Sequence, residues 1–128
     1  MSYYFAKTIN GGFDDAVARV TEALKQEGFG LITQIDVKDT FRQKLGVEFR
    51  NYRILGACNP KLAFEALSIE DKVGTMLPCN VVVQETADHR IEVAAIDPVA
   101  SMRAIDNAEL EKAAQLVRGK LQQVIAGL

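Results

Sequence analysis

Two segments of the chain carry a single apolar stripe each at the spacing of an α-helix, and they constrain the fold more than any other feature. One segment lies in residues 13–28 and the other in residues 106–128. The stripes consist of Phe13, Ala16, Val17, Val20 and Leu24, and of Leu110, Ala114, Val117, Leu121, Val124 and Leu128. A short helix with one apolar face is stable in water only when that face packs on another layer. The remaining segments must therefore form that layer.

Five other segments have the composition or the alternation of β-strands. They read YYFAKTI, GLITQIDVK, NYRILGAC, CNVVVQET and RIEVAAI. The strands of a parallel sheet are apolar on both faces, whereas these have one better-buried face, which favours an antiparallel sheet. We therefore predict a single α+β domain over residues 1–128, in which the two long helices pack on one face of a curved antiparallel sheet. The other face would be partly free for a ligand or a second subunit.

Capping residues indicate where helices begin. Asn59 precedes a proline, and asparagine caps the free amides of a first turn while proline lacks the N–H that this turn leaves unpaired. A helix is therefore predicted from this point through about Leu67. Asp106 and Glu109 have the spacing of a capping box at the start of the last helix. A shorter helical turn around Phe41 is expected to end at Gly46.

Composition excludes several classes of protein. The chain has 128 residues, of which 48% are hydrophobic and 25% are charged, which is typical of one soluble domain with a core of its own. A net charge of -2 gives no general attraction to a polyanion, so no nucleic-acid partner is expected. The sequence contains neither a signal peptide nor an apolar run long enough to cross a bilayer. We expect a cytoplasmic protein that binds no membrane and keeps its thiols reduced.

The two cysteines share an unusual context. Cys58 and Cys79 are each followed by an asparagine and each lie beside a proline. One ends a predicted strand and the other begins the next, so both thiols lie at the same end of the sheet if these strands are antiparallel neighbours. A helical crossover would instead make the strands parallel and separate the thiols. The antiparallel arrangement agrees with the other strands, and burial as small apolar side chains is the alternative to a functional role.

The neighbouring polar residues complete a candidate site. The helix cap accounts for Asn59, but Asn80 enters a strand and needs partners from the backbone or from a ligand. Arg53 lies within a strand, in a segment 38–53 that holds five basic and two acidic residues. Tyr52 begins the same strand as Cys58. We predict a ligand-binding cleft from these residues, which are Tyr52, Arg53, Cys58, Asn59, Cys79 and Asn80.

Other chemistry has little support in the sequence. There is no Ser/His/Asp set, glycine-rich phosphate loop or H-E-x-x-H motif. His89 lies in a predicted hairpin turn without a positioned neighbour. Zinc sites use four ligands at short spacings, so two isolated cysteines predict no metal site, with Cys58 and Cys79 as a weak soft-metal alternative. No cofactor is expected.

Several motifs together resemble a known family. They are YRILGACNP, LPCNVVV, AIDP, GFGLITQIDVK and LGVEFRNYR, and they extend over most of the chain. The chain resembles the family catalogued as domain of unknown function 302. The resemblance implies a TATA-box-binding-protein-like α+β fold with an antiparallel sheet and homodimeric members. It implies no activity, and the fold name does not carry DNA binding with it.

Two hypotheses of function follow. The first is a homodimeric binding module that holds a small ligand or a partner segment at the paired Cys-Asn site. The second is a thiol-dependent redox or soft-metal-handling protein, in which Cys58 is the reactive thiolate near a helix start and Cys79 is its resolving partner. The first hypothesis is preferred because it requires less special geometry. The sequence leaves open whether the protein is an enzyme.

Overall fold

The computed structural model of the protein describes residues 2–128. Five strands form one sheet, in the order β1, β5, β4, β3, β2, and every neighbouring pair is antiparallel. The strands are β1 (Tyr4–Ile9), β2 (Gly30–Asp36), β3 (Tyr52–Cys58), β4 (Cys79–Glu85) and β5 (Ile91–Ile96). The predicted α+β fold with an antiparallel sheet is therefore confirmed.

The two long helices lie together on one face of this sheet. They are α1 (Phe13–Gln26) and α5 (Ala108–Ala126), and they correspond to the two predicted apolar stripes. Shorter helices are α2 (Val37–Leu45), α3 (Pro60–Ile69) and α4 (Pro98–Ser101), with a 3₁₀ helix at Asp71–Met76. The main core lies between the long helices and the sheet, where Val20, Leu24 and Leu121 pack against Leu55 and Val81. Each of these five side chains is fully buried, which is the packing that stabilises both helices.

A second, smaller apolar cluster lies beside the main core. Ala66 of α3, Val73 of the 3₁₀ helix and Leu110 of α5 form its centre, and Leu77 and Met102 pack against them. This cluster joins α3 to the first turns of α5. The molecule thus has two packed regions with a seam between them.

Two helix starts differ from the sequence prediction. Asn107, rather than Asp106, caps α5, because its Oδ1 accepts hydrogen bonds from the backbone amides of Glu109 and Leu110. Asp36 caps α2, because its side chain accepts a hydrogen bond from the backbone amide of Asp39. Strand β2 therefore ends at Asp36, and the residues that follow are helical. Ser, Asp and Asn are near-equivalent caps, and the sequence alone did not distinguish between adjacent ones.

Gly56 in the middle of β3 is required by close packing. A Cβ atom at this position would lie 2.1 Å from Thr33 Oγ1 and 2.8 Å from Pro78 Cγ. The same part of β2 contains an irregular register between Leu31 and Thr33, which leaves Ile32 outside the ladder. Glycine in a strand interior often marks such a close approach. The side chains of Thr33 and Pro78 therefore fill the space that another residue at position 56 would occupy.

The long helices α1 and α5 leave the opposite face of the sheet uncovered, and at one end of it Phe49 and Arg50 pack against Tyr52. The strand registers place fourteen residues on this face, and we call it the open face. They are Tyr4, Ala6, Thr8, Thr33, Ile35, Tyr52, Ile54, Gly56, Asn80, Val82, Gln84, Glu92, Ala94 and Ile96. Only one of them, Glu92, is ionisable at neutral pH.

Candidate functional site

An apolar cavity of about 290 Å³ lies at one end of the sheet, in the seam between the two packed regions, and it opens to solvent beside the exposed side chains of Ile32 and Leu67. Its walls come from the start of β2, the end of β3 and the start of β4, and from α3, the 3₁₀ helix, α4 and α5. Of the described residues that line it, none is Asp, Glu, Lys, Arg or His. Almost all of its surface is therefore hydrocarbon and sulfur.

Both cysteines line this cavity. Cys79 opens β4 opposite Ala57, so Cys58 is one residue further along the antiparallel partner strand. The prediction that the two thiols lie at the same end of the sheet is confirmed. Cys79 is buried and Cys58 is half-buried, and neither forms a disulfide. The two thiols are near enough to interact electrostatically.

Asn59 lines the cavity and also caps α3. Its side-chain Oδ1 accepts a hydrogen bond of 3.2 Å from the backbone amide of Leu62, as the sequence predicted. Its Nδ2 lies against Gly28, which has a φ of 87° and which would carry a Cβ only 3.0 Å from that nitrogen. Asn59 therefore fixes the start of α3 against the turn before β2, and so shapes one wall of the cavity.

Burial controls the chemistry of the Cys79 thiol. Desolvation, with a smaller effect from the neighbouring Cys58, raises the pKa of Cys79 from 9.0 to about 11. The thiolate, not the thiol, is the nucleophile and the metal ligand. At neutral pH Cys79 is therefore an uncharged side chain in an apolar wall.

This raised pKa predicts a specific loss of stability at high pH. Below pH 9 the Cys79 thiol is protonated in both the folded and the unfolded chain, so its contribution is constant. Between pH 9.0 and about 11 the unfolded chain loses this proton while the folded chain keeps it. The free energy of unfolding should then fall by on the order of 2 to 3 kcal/mol more in the wild type than in Cys79→Ala.

Urea unfolding at a series of pH values from 8 to about 11 measures this difference. Comparison with Cys79→Ala removes the contribution of the tyrosines and lysines, which also titrate in this range. Cys58→Ala serves as a second control, since it leaves the buried thiol in place. Parallel pH profiles for the wild type and Cys79→Ala would contradict the raised pKa.

The other predicted site residues lie elsewhere. Tyr52 and Asn80 are on the open face, where they border a shallow pocket with Tyr4. They are there because Asn80 pairs with Gly56, and alternate residues of a strand point to opposite faces. Of the residues predicted to line one cleft, which are Tyr52, Cys58, Asn59, Cys79 and Asn80, the structure brings Cys58, Asn59 and Cys79 together in the cavity and places Tyr52 and Asn80 outside it.

Arg53 is also remote from the thiols. It lies at the opposite end of β3, where its Nη2 is 3.5 Å from Asp36 Oδ2 and its guanidinium carbon is 5.4 Å from the centre of the Phe13 ring. Its neighbour Arg50 likewise stacks on Phe49, and it donates a hydrogen bond to Gln84. These internal partners give both arginines a structural explanation.

Sequence reasoning missed most of the cavity wall. Its members include Phe29, Leu62 and Met102, which have the pattern of ordinary core residues. A weak signal was present in the small residues Ala63 and Ala66 of α3 and Ala113 and Ala114 of α5. Small side chains on two helices that face each other leave space between them unless a larger residue fills it.

Two further classes of site have no support in residues 2–128. No group of three or more His, Cys, Asp or Glu side chains in this range is arranged to hold a metal ion. Within the same range no helix is both long enough and apolar enough to cross a membrane.

The fold and cavity together define a class of protein: an α+β domain whose five-stranded antiparallel sheet carries helices on one face and encloses an apolar pocket at one end. The family model described as "Domain of unknown function DUF302" matches residues 5–128. The chain therefore belongs to the DUF302 family.

A solved structure supports the same assignment. The crystal structure of an uncharacterised conserved DUF302 protein from Bacillus stearothermophilus is similar to this chain with a TM-score of 0.91. The two sequences are 26% identical, and the alignment covers 98% of each chain. No functionally curated protein matches the sequence.

Proposed function

We propose that this protein is a binding module whose site is the cavity between the sheet, α3 and α5. The observation that carries the proposal is an apolar cavity of about 290 Å³ that holds both cysteines and the asparagine that caps α3. Protein interiors are close-packed, and voids larger than a water molecule are few. Pockets for small ligands, in contrast, are mostly apolar and begin at about this size.

The alternative function, thiol redox or soft-metal handling, has weaker support. Two thiols in one cavity favour it, and Met102 adds a thioether to the same wall. However, burial raises the pKa of Cys79 to about 11, which makes this thiol a poor nucleophile and a poor metal ligand at neutral pH. A binding module, in contrast, needs no thiolate, so the protonated Cys79 thiol is compatible with this function.

Native mass spectrometry of the gently purified protein tests the proposal. We expect a bound small-molecule mass that is present in the native spectrum and lost in the denatured one. The same mass should be missing from Ala63→Leu, in which the added side chain enters the cavity. If the bound mass persists in Ala63→Leu, the ligand binds elsewhere and the proposed site is wrong.

We further propose that the protein is a homodimer that pairs through the open face. Five strands about 4.8 Å apart and about 20 Å long give this face roughly 500 Å² on each subunit. Two such faces bury about 1,000 Å², which is the lower limit of a stable interface. Interface centres are poor in charge and rich in tyrosine. The residues of this face include Tyr4 and Tyr52 and one charged residue, Glu92, while the guanidinium of Arg50 lies at one end of the face, over Tyr52 and against Gln84.

A charge placed at the centre of the open face should abolish this dimer. Val82 is half-buried on the middle strand of the sheet. In Val82→Arg, each subunit would bring a hydrated guanidinium group into the middle of the proposed interface, so we expect at least a tenfold weaker dimer. Analytical ultracentrifugation measures the change, with Gln115→Arg on the exposed surface of α5 as the control. Equal dimerisation of both variants would show that another surface forms the interface.

A further inference from the structure

The cavity also limits the chemical class of ligand that it can hold, an inference that rests on the proposed function. The first limit is charge. The one polar amide in the wall is that of Asn59, and its oxygen already accepts a hydrogen bond from Leu62. A carboxylate or an ammonium group would lose its hydration in the cavity and gain no charged partner. The part of a ligand that lies within the cavity must therefore be uncharged.

The second limit is size. A cavity of 150 Å³ lined by apolar residues stays dry and holds one benzene molecule. This cavity has about 290 Å³, or roughly twice that volume. Two fused six-membered rings share two atoms and occupy about one and a half times the space of one, which fits within this volume. A single ring would leave much of the cavity empty, and four rings would exceed it.

The third limit comes from sulfur. Cys58, Cys79 and Met102 all line the cavity, so three of its side chains carry a polarizable sulfur atom. Contacts between sulfur and an aromatic ring are favourable, most of all at the ring edge. A saturated hydrocarbon of the same shape would not gain this interaction. The wall therefore discriminates between aromatic and aliphatic molecules of equal size.

We propose that the ligand is an uncharged aromatic molecule of about two fused rings, which binds in the cavity against the three sulfur atoms. Naphthalene is the simplest probe of this class. Decalin has the same carbon skeleton but saturated, thicker rings, 2-naphthoate adds a negative charge, and benzene supplies about two-thirds of the volume. Compared with naphthalene, 2-naphthoate tests the limit of charge, benzene tests the limit of size, and decalin tests the preference for an aromatic ring.

Titration of the full-length protein with each probe, followed by the amide NMR signals of cavity residues, tests the proposal. We expect naphthalene to bind at least about tenfold more tightly than decalin, benzene or 2-naphthoate. In Met102→Leu, which conserves volume but removes one sulfur, the affinity for naphthalene should fall about two- to fivefold while that for decalin is unchanged.

Several results would overturn the proposal, and xenon distinguishes them from failure of the proposed function. Equal affinity for decalin or for 2-naphthoate would show that sulfur or charge does not select the ligand. If none of the four probes binds while xenon under pressure shifts the cavity signals, the cavity exists and the ligand class is wrong. If xenon also has no effect, the cavity is not available and the proposed function fails with it.

Discussion

Replacing Asp97 with alanine is expected to lower the free energy of unfolding by about 2 to 3 kcal/mol. The side chain is only 7% exposed, and its Oδ2 lies 3.3 Å from Arg118 Nε. The geometry is that of an ion pair rather than an aligned hydrogen bond, since this nitrogen has no hydrogen-bond partner. The other carboxylate oxygen, Oδ1, accepts a hydrogen bond from the backbone amide of Val99 and so caps α4. The substitution would remove both interactions at once.

The position of Asp97 explains why this loss should be large. Its backbone amide donates a hydrogen bond to the carbonyl of Tyr3, so this one residue connects the segment just before β1 with α4 and α5. Arg118 is 39% exposed and regains water when its partner is lost, which keeps the loss below that of a fully buried pair.

Two variants separate the contributions of Asp97. Asp97→Asn keeps the cap and removes the charge, so it should lose less stability than Asp97→Ala. Asp106→Ala, at an exposed aspartate nearby, should change stability by no more than about 0.5 kcal/mol. Urea unfolding measures all three. If Asp97→Ala loses no more stability than Asp106→Ala, the pair does not hold α4 and α5 together.

Replacing Ala63 with leucine should have opposite effects on stability and on binding. Ala63 lies on α3 and borders the cavity. The added methyl groups would occupy empty apolar space, so the free energy of unfolding should rise by about 1 kcal/mol after some loss to strain. Naphthalene should then bind at least about tenfold more weakly, because its space is taken.

The matched control is Ala108→Leu, the same substitution at an exposed position on α5 that does not line the cavity. It should leave both stability and naphthalene binding nearly unchanged. A rise in the free energy of unfolding together with a loss of naphthalene binding is the result expected for a ligand cavity. Residues that keep a binding site open often lower the stability of the protein. A destabilised Ala63→Leu that still binds naphthalene would contradict this account.

The fold was largely predictable because its signals are periodic. The stripe from Phe13 to Leu24 and the alternation in β3 follow from the 3.6-residue and two-residue periods of helices and strands. These periods fixed the number and type of the main elements and the antiparallel sheet. The helix starts were less certain, since Asn107 and Asp106 are both good caps and only packing decides between them.

The site was predictable only in part. Cys58 and Cys79 meet at one end of the sheet because two antiparallel neighbours begin and end there, and this follows from topology. The position of Asn80 depends on register, and a shift of one residue moves a side chain to the other face. The residue pattern does not specify the register between β3 and β4, so the prediction grouped Tyr52 and Asn80, which lie on the open face, with the residues that line the cavity.

The cavity itself could not be predicted. An empty volume depends on how α3 and α5 approach the sheet, and apolar residues such as Met102 have the same pattern whether they fill a core or line a pocket. The hydrophobic pattern specifies which side is buried, not how completely it is filled.

A crystal structure determined under xenon pressure tests the central claim most directly, because xenon enters dry apolar cavities. We predict at least one xenon atom between the ends of β3 and β4 and the helices α3 and α5, in contact with the walls formed by Cys58 and Cys79. It should be absent from the same position in Ala63→Leu. A cavity closed by wall side chains, or filled by ordered water hydrogen-bonded to Asn59, would contradict the claim that this is a site for a small apolar ligand.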